Sequence, residues 1–497
     1  MVKSPYKELE KYFRRIGALN EVLGILNWDM AVVMPSGAAE NRARQIAEIN
    51  LIIHEILNEP EIKDLLAEAE SIPISDKLMK ANLAEMKRMY VHSTAMDASL
   101  VSALTETSTN CEMCWREARS ENNFSGIKKN FEYLLSLVRE KAACKADALD
   151  CSPYDSLINE FEPGIKQSEI DILFDDLLRI LPDIYHRTLE RQKRVPSPVH
   201  PKGPFSIESQ RKLGVQMMKR LGFDFDHGRL DVSLHPFCGG SPGDIRITTR
   251  YYEDDFTQGL MGVMHETGHA LYESNLPKKW RLQPVGQARG MTIHESQSLL
   301  IEMQICRSTE FIVFAAPLMR AAFGGHESLW EVDNIASLTR RVIPNYIRVD
   351  ADEVTYPFHV ILRYELEKAL IKGDLLVSDI PSAWNSGIKD FLGITPPDDG
   401  KGCLQDIHWF SGAFGYFPTY TLGALAAAQM AATIRHQNPD AQELISKGDF
   451  KVFTDWCARN IHAKASFLGT NDILVEATGH SLGTSDFHKH LESRYLA

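Results

Sequence analysis

Helical periodicity runs through most of this chain and limits it to a mainly α architecture. In residues 4–26, 37–58, 75–119 and 123–148 apolar side chains recur three and four positions apart, with charges between them, which gives each segment one apolar face. The stretches near 167–192, 206–222, 292–322, 360–373 and 419–436 follow the same rule. Extended segments are few. The best pair, Leu230–Leu234 and Ile245–Tyr251, flanks His235-Pro-Phe-Cys-Gly-Gly-Ser-Pro-Gly, whose glycines and prolines predict a turn or loop. A small β-sheet is therefore expected near the middle of the chain. Breaks near 194–204, 391–402 and 410–418 read as short connectors. A chain of 497 residues exceeds the roughly 250–300 at which one core stops growing. Two helical lobes, approximately 1–225 and 226–497 with interleaved boundaries, are expected to form a single catalytic unit with a cleft.

Charge narrows the partners. The net charge of −13 argues against nucleic acid or a membrane surface, either of which favours a basic face. No stretch reaches the 18 or so apolar residues of a membrane span, and the first residues lack a secretory pattern. Eight cysteines scattered through a long chain do not read as a disulfide framework. A reduced, cytoplasmic protein is expected.

Chemistry enters with His265-Glu266-Thr-Gly-His269, the H-E-x-x-H pattern. In a helix, residues four apart share a face with Cβ atoms roughly 5–6 Å apart, so two imidazoles can reach one zinc ion. Glu266 lies to the side, where it can take a proton from a water on the metal. With 17 His among 497 residues, about 0.04 such matches arise by chance. Apolar flanks (Leu260, Val263, Met264, Ala270, Leu271) indicate a buried helix, in which His and Glu need partners.

A catalytic zinc site takes three protein ligands and one open position. The extended H-E-x-x-H-x-x-G-x-x-H variant fails, because Tyr272 and Asn275 stand where Gly and His are required. Glu273 shares the motif helix and lies too far along its axis. Glu295 and Glu302 lie two turns apart on the next apolar helix. The polar neighbours of Glu295 (His294, Ser296, Gln297) suit a metal better than the apolar company of Glu302. The expected set is His265, His269 and Glu295 around one divalent ion, zinc first, with cobalt or manganese able to occupy similar sites.

These residues resemble the Taq-type zinc metallocarboxypeptidases. Beyond the metal motif the chain carries, in order, His235-Pro-Phe, Asp244-Ile-Arg246-Ile-Thr, His294-Glu295-Ser-Gln297, Ile347-Arg348-Val-Asp-Ala-Asp352 and Gly402-Cys-Leu-Gln405-Asp406-Ile-His408-Trp. The resemblance implies a two-lobed helical body with a deep groove, a homodimer, and removal of single C-terminal residues from peptides with a free C-terminus.

Each flanking motif has a physical reading and a bland alternative. Arg348 is a fork suited to a terminal carboxylate, or it pairs with Asp350 or Asp352. Asp244–Arg250 is an exposed edge for an extended peptide, or a structural strand with Asp244 and Arg246 in internal pairs. His235-Pro-Phe narrows the groove beyond the scissile bond, or is only a buried corner, with structure and a rim role the favoured reading. Tyr420 is the first choice for an oxyanion donor, Tyr416 the second, and His408 a substrate-binding partner; each can equally be a core group. Gly239-Gly-Ser241-Pro-Gly243 is no nucleophile elbow, because Pro242 lacks the N–H that would serve as oxyanion donor. Cys111-Glu-Met-Cys114 sits in a helical pattern without a second pair and reads as ordinary helix cysteines. The rival functions are an endo-oligopeptidase or dipeptidyl carboxypeptidase with the same metal chemistry and, more remotely, a non-catalytic zinc-containing peptide-binding protein.

Overall fold

The computed structural model describes residues 4–497. Among the described residues the architecture is mainly α, with one three-stranded sheet. Four N-terminal helices, Pro5–Val32, Ala39–Leu57, Pro60–Ser71 and Lys77–Thr94, gather a small core around Leu9, Phe13, Ile16, Ile62 and Met86. The main core runs from Cys111 to Tyr495 and is filled with aromatic and aliphatic side chains. Among the described residues no helix is long and apolar enough to cross a membrane.

Local polar groups divide the helical segments. The periodic run 75–119 breaks ahead of the helix Ala98–Ser120, where the Asp97 carboxylate accepts from Leu100 N at 2.8 Å, satisfying an orphan donor at a helix start. The run 292–322 is three pieces: a helix Met291–Leu299, a π-helical turn Leu300–Cys306, and a helix Thr309–Phe323. Ser308 caps the last of these through Phe311 N.

The sheet corrects the expectation of a loop between two strands. Strand β1 (Gly228–Val232) pairs in parallel with β3 (Asp244–Thr249), and β2 (Phe237–Ser241) pairs antiparallel with the other edge of β3. Thus β2 occupies most of the Gly-rich segment read as a turn. Gly240 is held in the sheet at φ +89°, where a Cβ would stand 2.1 Å from Asp244 O, and the first helix approaches its carbonyl so closely that a Cβ on Gly24 would lie 2.1 Å from Gly240 O. A second correction follows. Strand β3 is the central strand, so Asp244–Thr249 offers no exposed edge to a peptide.

The helix Phe256–Ser274, which carries the H-E-x-x-H motif, packs on this sheet through Val263 and Ala270 against Leu230, Ile245 and Ile247. Its other side meets the helix Met291–Leu299 at a point where only glycine fits. A Cβ on Gly268 would stand 2.4 Å from Gln297 O and 2.5 Å from Ser298 Cα. On the far side, the Ala-rich helix Pro418–Gln437 approaches equally closely: a Cβ on Gly423 would lie 2.7 Å from Glu295 Cβ. Glu295 is thus held between two glycine contacts.

Overpacking of this kind costs about 1–3 kcal/mol. Gly268→Ala and Gly423→Ala should each lower the thermal midpoint. Gly37→Ala, where an added Cβ meets nothing within 4 Å, should leave it unchanged. Calorimetry of the three variants measures this, and equal midpoints for all three would contradict the packing account.

Candidate metal centre and groove

A groove of about 1280 Å³ opens beside the motif helix. His265, Glu266, His269, Glu295, Arg348, Tyr416 and Tyr420 all line it, together with Glu302 and Tyr356. His265 and His269 lie one helical turn apart with ring centroids 4.9 Å from each other. Glu295 faces both imidazoles: its Oε1 is 3.7 Å from His265 Nε2 and its Oε2 is 3.7 Å from His269 Nε2. These separations are too long for hydrogen bonds. They match instead the spacing of donors around one cation, since ligands about 2.0–2.2 Å from a tetrahedral ion stand about 3.4 Å apart. One ligand atom from each of the three residues falls within 4.8 Å of the others, so this group can hold a divalent metal. Two nitrogens and a carboxylate, with no thiolate, form a borderline donor set that suits first-row divalent ions.

Electrostatics point the same way. Burial pulls the His265 imidazolium down, but Glu295, Glu302 and Glu266 outweigh it and raise the pKa to about 10. The pocket therefore holds an excess of negative charge that stabilises a cation. Burial pushes Glu266 up to about 7, helped by Glu295 and opposed by His265. His269 is held well below the usual range by burial and then by His294 and His265.

Two hydrogen-bond relays hold the imidazoles from behind. His265 Nδ1 is 3.0 Å from Glu302 Oε2, and Glu302 Oε1 accepts from Arg307 Nη2 at 2.9 Å. His269 Nδ1 is 2.7 Å from His294 Nδ1, whose Nε2 is 2.9 Å from Glu273 Oε1. An ionised carboxylate only accepts. Each chain of donors therefore selects the Nδ1–H tautomer of the neutral ring, in which Nε2 of His265 and of His269 carries its lone pair on the Glu295 side. Sequence reasoning weighed Glu302 and Glu273 as metal ligands and missed these roles. The signal was there in spacing, because Glu273 lies four residues past His269 and Glu302 seven past Glu295, each on the same helical face.

A family model described as Carboxypeptidase Taq (M32) metallopeptidase matches residues 8–495. The chain belongs to this family. It is 35% identical to thermostable carboxypeptidase 1 of Thermus thermophilus, with 100% of this chain and 99% of the relative covered. Identity to carboxypeptidase 1 of Bacillus subtilis is 33%, over 98% and 97% of the two chains. The solved structure of metallocarboxypeptidase 1 of Trypanosoma cruzi is similar with a TM-score of 0.97 at 39% identity, over 99% of each chain. A Pyrococcus furiosus carboxypeptidase gives 0.95 at 30% identity over the whole of both chains. This protein is a metallocarboxypeptidase, a peptide hydrolase that depends on a divalent metal.

In this carboxypeptidase Arg348 pairs with neither Asp350 nor Asp352. Its Nη2 donates to Asp406 Oδ1 at 2.9 Å, its Nη1 to Tyr356 Oη at 2.6 Å, and its guanidinium carbon lies 4.7 Å from the Tyr420 ring centre. Asp352 instead accepts from the backbone N–H groups of Ile343, Val354 and Thr355. Asp406 also pairs with Arg363, which is fully buried. Two guanidiniums thus share one carboxylate, leaving a net positive charge beside the groove. The Gln405 side chain accepts from Arg348 N at 2.8 Å and fixes that loop.

The tyrosines and His408 form one aromatic cluster. Tyr416 and Tyr420 rings are 5.2 Å apart, and Tyr420 Oη is 3.4 Å from His408 Nε2. Burial lowers His408 to about 4, so it is neutral. His408 sits behind the tyrosines, outside the groove lining. His235, Asp244 and Arg246 also lie outside it. His235 is exposed, while its neighbours Pro236 and Phe237 reach the groove wall. Arg246 pairs with Asp244 at 2.7 Å and covers the Trp28 ring at 4.2 Å. The alternative reading of an internal pair is the geometry found.

Removing one partner of a buried pair costs about 3–5 kcal/mol. Asp406→Asn, which strands two buried guanidiniums, should lower unfolding stability by that order, as read from a urea titration. Asp244→Asn, at a partly exposed pair, should change it by less than about 1 kcal/mol. Comparable losses would contradict this assignment.

Proposed function

We propose that His265, His269 and Glu295 hold one divalent ion, zinc in the first place, and that this chain's residues around it cleave the C-terminal peptide bond of peptides with a free carboxylate. The convergence of both imidazoles on the two oxygens of Glu295 carries the reading. When bound, the ion supplies Lewis-acid stabilisation of a carbonyl oxygen and lowers the pKa of water in its open position.

Glu266 acts as general base. It is buried, follows His265 directly, and burial raises its proton affinity towards neutrality, where acid–base exchange is efficient. It takes the proton of the attacking water and returns it to the leaving amine. Tyr420 donates its hydroxyl to the developing oxyanion, and Tyr416 packs against its ring as the second candidate. His408 backs the Tyr420 hydroxyl. Arg348 anchors the substrate's terminal carboxylate, supported by the charge left over from the Arg348–Asp406–Arg363 cluster. One N–H of its Nη1 remains beyond the bond to Tyr356.

A single catalytic unit of two interleaved lobes, near 1–225 and 226–497, fits a core that runs across that division. Eight unpaired cysteines fit a reducing, cytoplasmic setting. Homodimerisation follows from the family resemblance and is checked by sedimentation. Asp244 and Arg246, on the central strand, are assigned to structure, and His235 to the outer rim.

Glu266→Gln should retain the metal and lose about 10²–10⁴ in kcat. Arg348→Met removes a charge-assisted contact worth about 1.5–3 kcal/mol, so kcat/KM should fall roughly tenfold to over a hundredfold. Mass spectrometry of a free peptide and its C-terminally amidated twin, with and without chelator, tests the whole reading. Loss of single residues from the free peptide alone, abolished by chelator, is expected. Internal cleavage of the amidated twin would identify an endopeptidase instead, and release of residue pairs a dipeptidyl enzyme.

A further inference from the structure

Glu302 stands on a π-helical turn, Leu300–Cys306, a local deformation that concentrates at functional sites. The turn is pinned from three directions. Arg494 Nη1 donates to Met303 O at 2.6 Å, and Arg435 Nη2 donates to Gln304 O at 3.0 Å. Arg307, at the end of the turn, holds one oxygen of Glu302 at 2.9 Å and is itself fixed through its carbonyl, which accepts from Arg340 Nε at 2.9 Å. The second oxygen of Glu302 is thereby aimed at His265 Nδ1, 3.0 Å away. An ion pair serving only the core would need no histidine.

We propose that Glu302, locked by Arg307, is a positioning residue that keeps His265 in the rotamer and tautomer presenting Nε2 to the metal. The proposal rests on the ligand set given above, and the experiment separates the two. Hydrogen-bonding partners behind a ligating imidazole typically contribute 10–100-fold in metal affinity.

Metal-depleted protein is titrated with zinc against a chromophoric chelator, for wild type, Glu302→Leu, Glu302→Gln, His265→Ala and Glu160→Gln. Glu302→Leu should weaken zinc binding about 10–100-fold. Glu302→Gln, whose carbonyl still accepts from Nδ1–H, should weaken it by less, and it keeps the shape of the site should the leucine variant fail to fold. Glu160, which pairs with Lys141 and Lys145 at 2.9 and 2.6 Å, controls for loss of a charge-paired carboxylate outside the groove lining, and its variant should bind as wild type does. If His265→Ala binds zinc as tightly as wild type, the ligand set is wrong. If His265→Ala loses zinc but both Glu302 variants bind within twofold of wild type, the positioning role is overturned. Equal losses for the leucine and glutamine variants, or an equal loss for Glu160→Gln, overturn it too, because charge alone would then account for the effect.

Discussion

The contact at Gly268 sets the rest of this structure. Because that residue has no side chain, the backbone of Gln297 and Ser298 comes to within a distance that a Cβ would forbid. This brings the helix carrying Glu295 against the helix carrying His265 and His269, with the carboxylate 3.7 Å from both Nε2 atoms. Gly423 repeats the device on the opposite side, so Glu295 cannot retreat. Rigid elements pressed this closely hold a site to within the few tenths of an ångström that catalysis requires.

Around this contact the charges are arranged in two opposed groups. Glu266, Glu295 and Glu302 surround two imidazoles and make the metal pocket attractive to a cation. Arg348 and Arg363, sharing Asp406, make the neighbouring wall attractive to an anion. Both groups are mostly buried, where charges act more strongly than in water. In the proposed reading, a peptide's scissile carbonyl meets the first group and its terminal carboxylate the second, so the substrate is held at two points. The Tyr356, Tyr416 and Tyr420 side chains line the same groove with their rings in edge contact.

The helical class and the metal motif were legible because they rest on local periodicity: His265 and His269 are four apart, and spacing alone puts them on one face. The polar neighbours of Glu295 singled it out over Glu302, and it is the carboxylate that faces both Nε2 atoms. The five ordered motifs pointed to the family, and the family match bears that out. Long-range pairing was not legible. That Arg348 meets Asp406 rather than Asp350 or Asp352 depends on a loop 58 residues away. That β3 is central depends on β2 folding back over Gly239 and Gly240, which in sequence look like a loop. The π-helical turn at Leu300–Cys306 was hidden inside a periodic run because its seven residues keep the apolar pattern. Glu302 and Glu273 were weighed for direct ligation and His294 only as a polar neighbour of Glu295, whereas the geometry sets all three behind His265 and His269.

X-ray absorption at the zinc edge of the loaded protein tests the central claim most directly, because it reads the ligand atoms themselves. The account predicts a first shell of nitrogen and oxygen alone at about 2.0–2.2 Å, with imidazole scattering from two histidines. A sulfur at about 2.3 Å, which Cys238 on the same groove wall would supply, or a shell with a single imidazole, would contradict it.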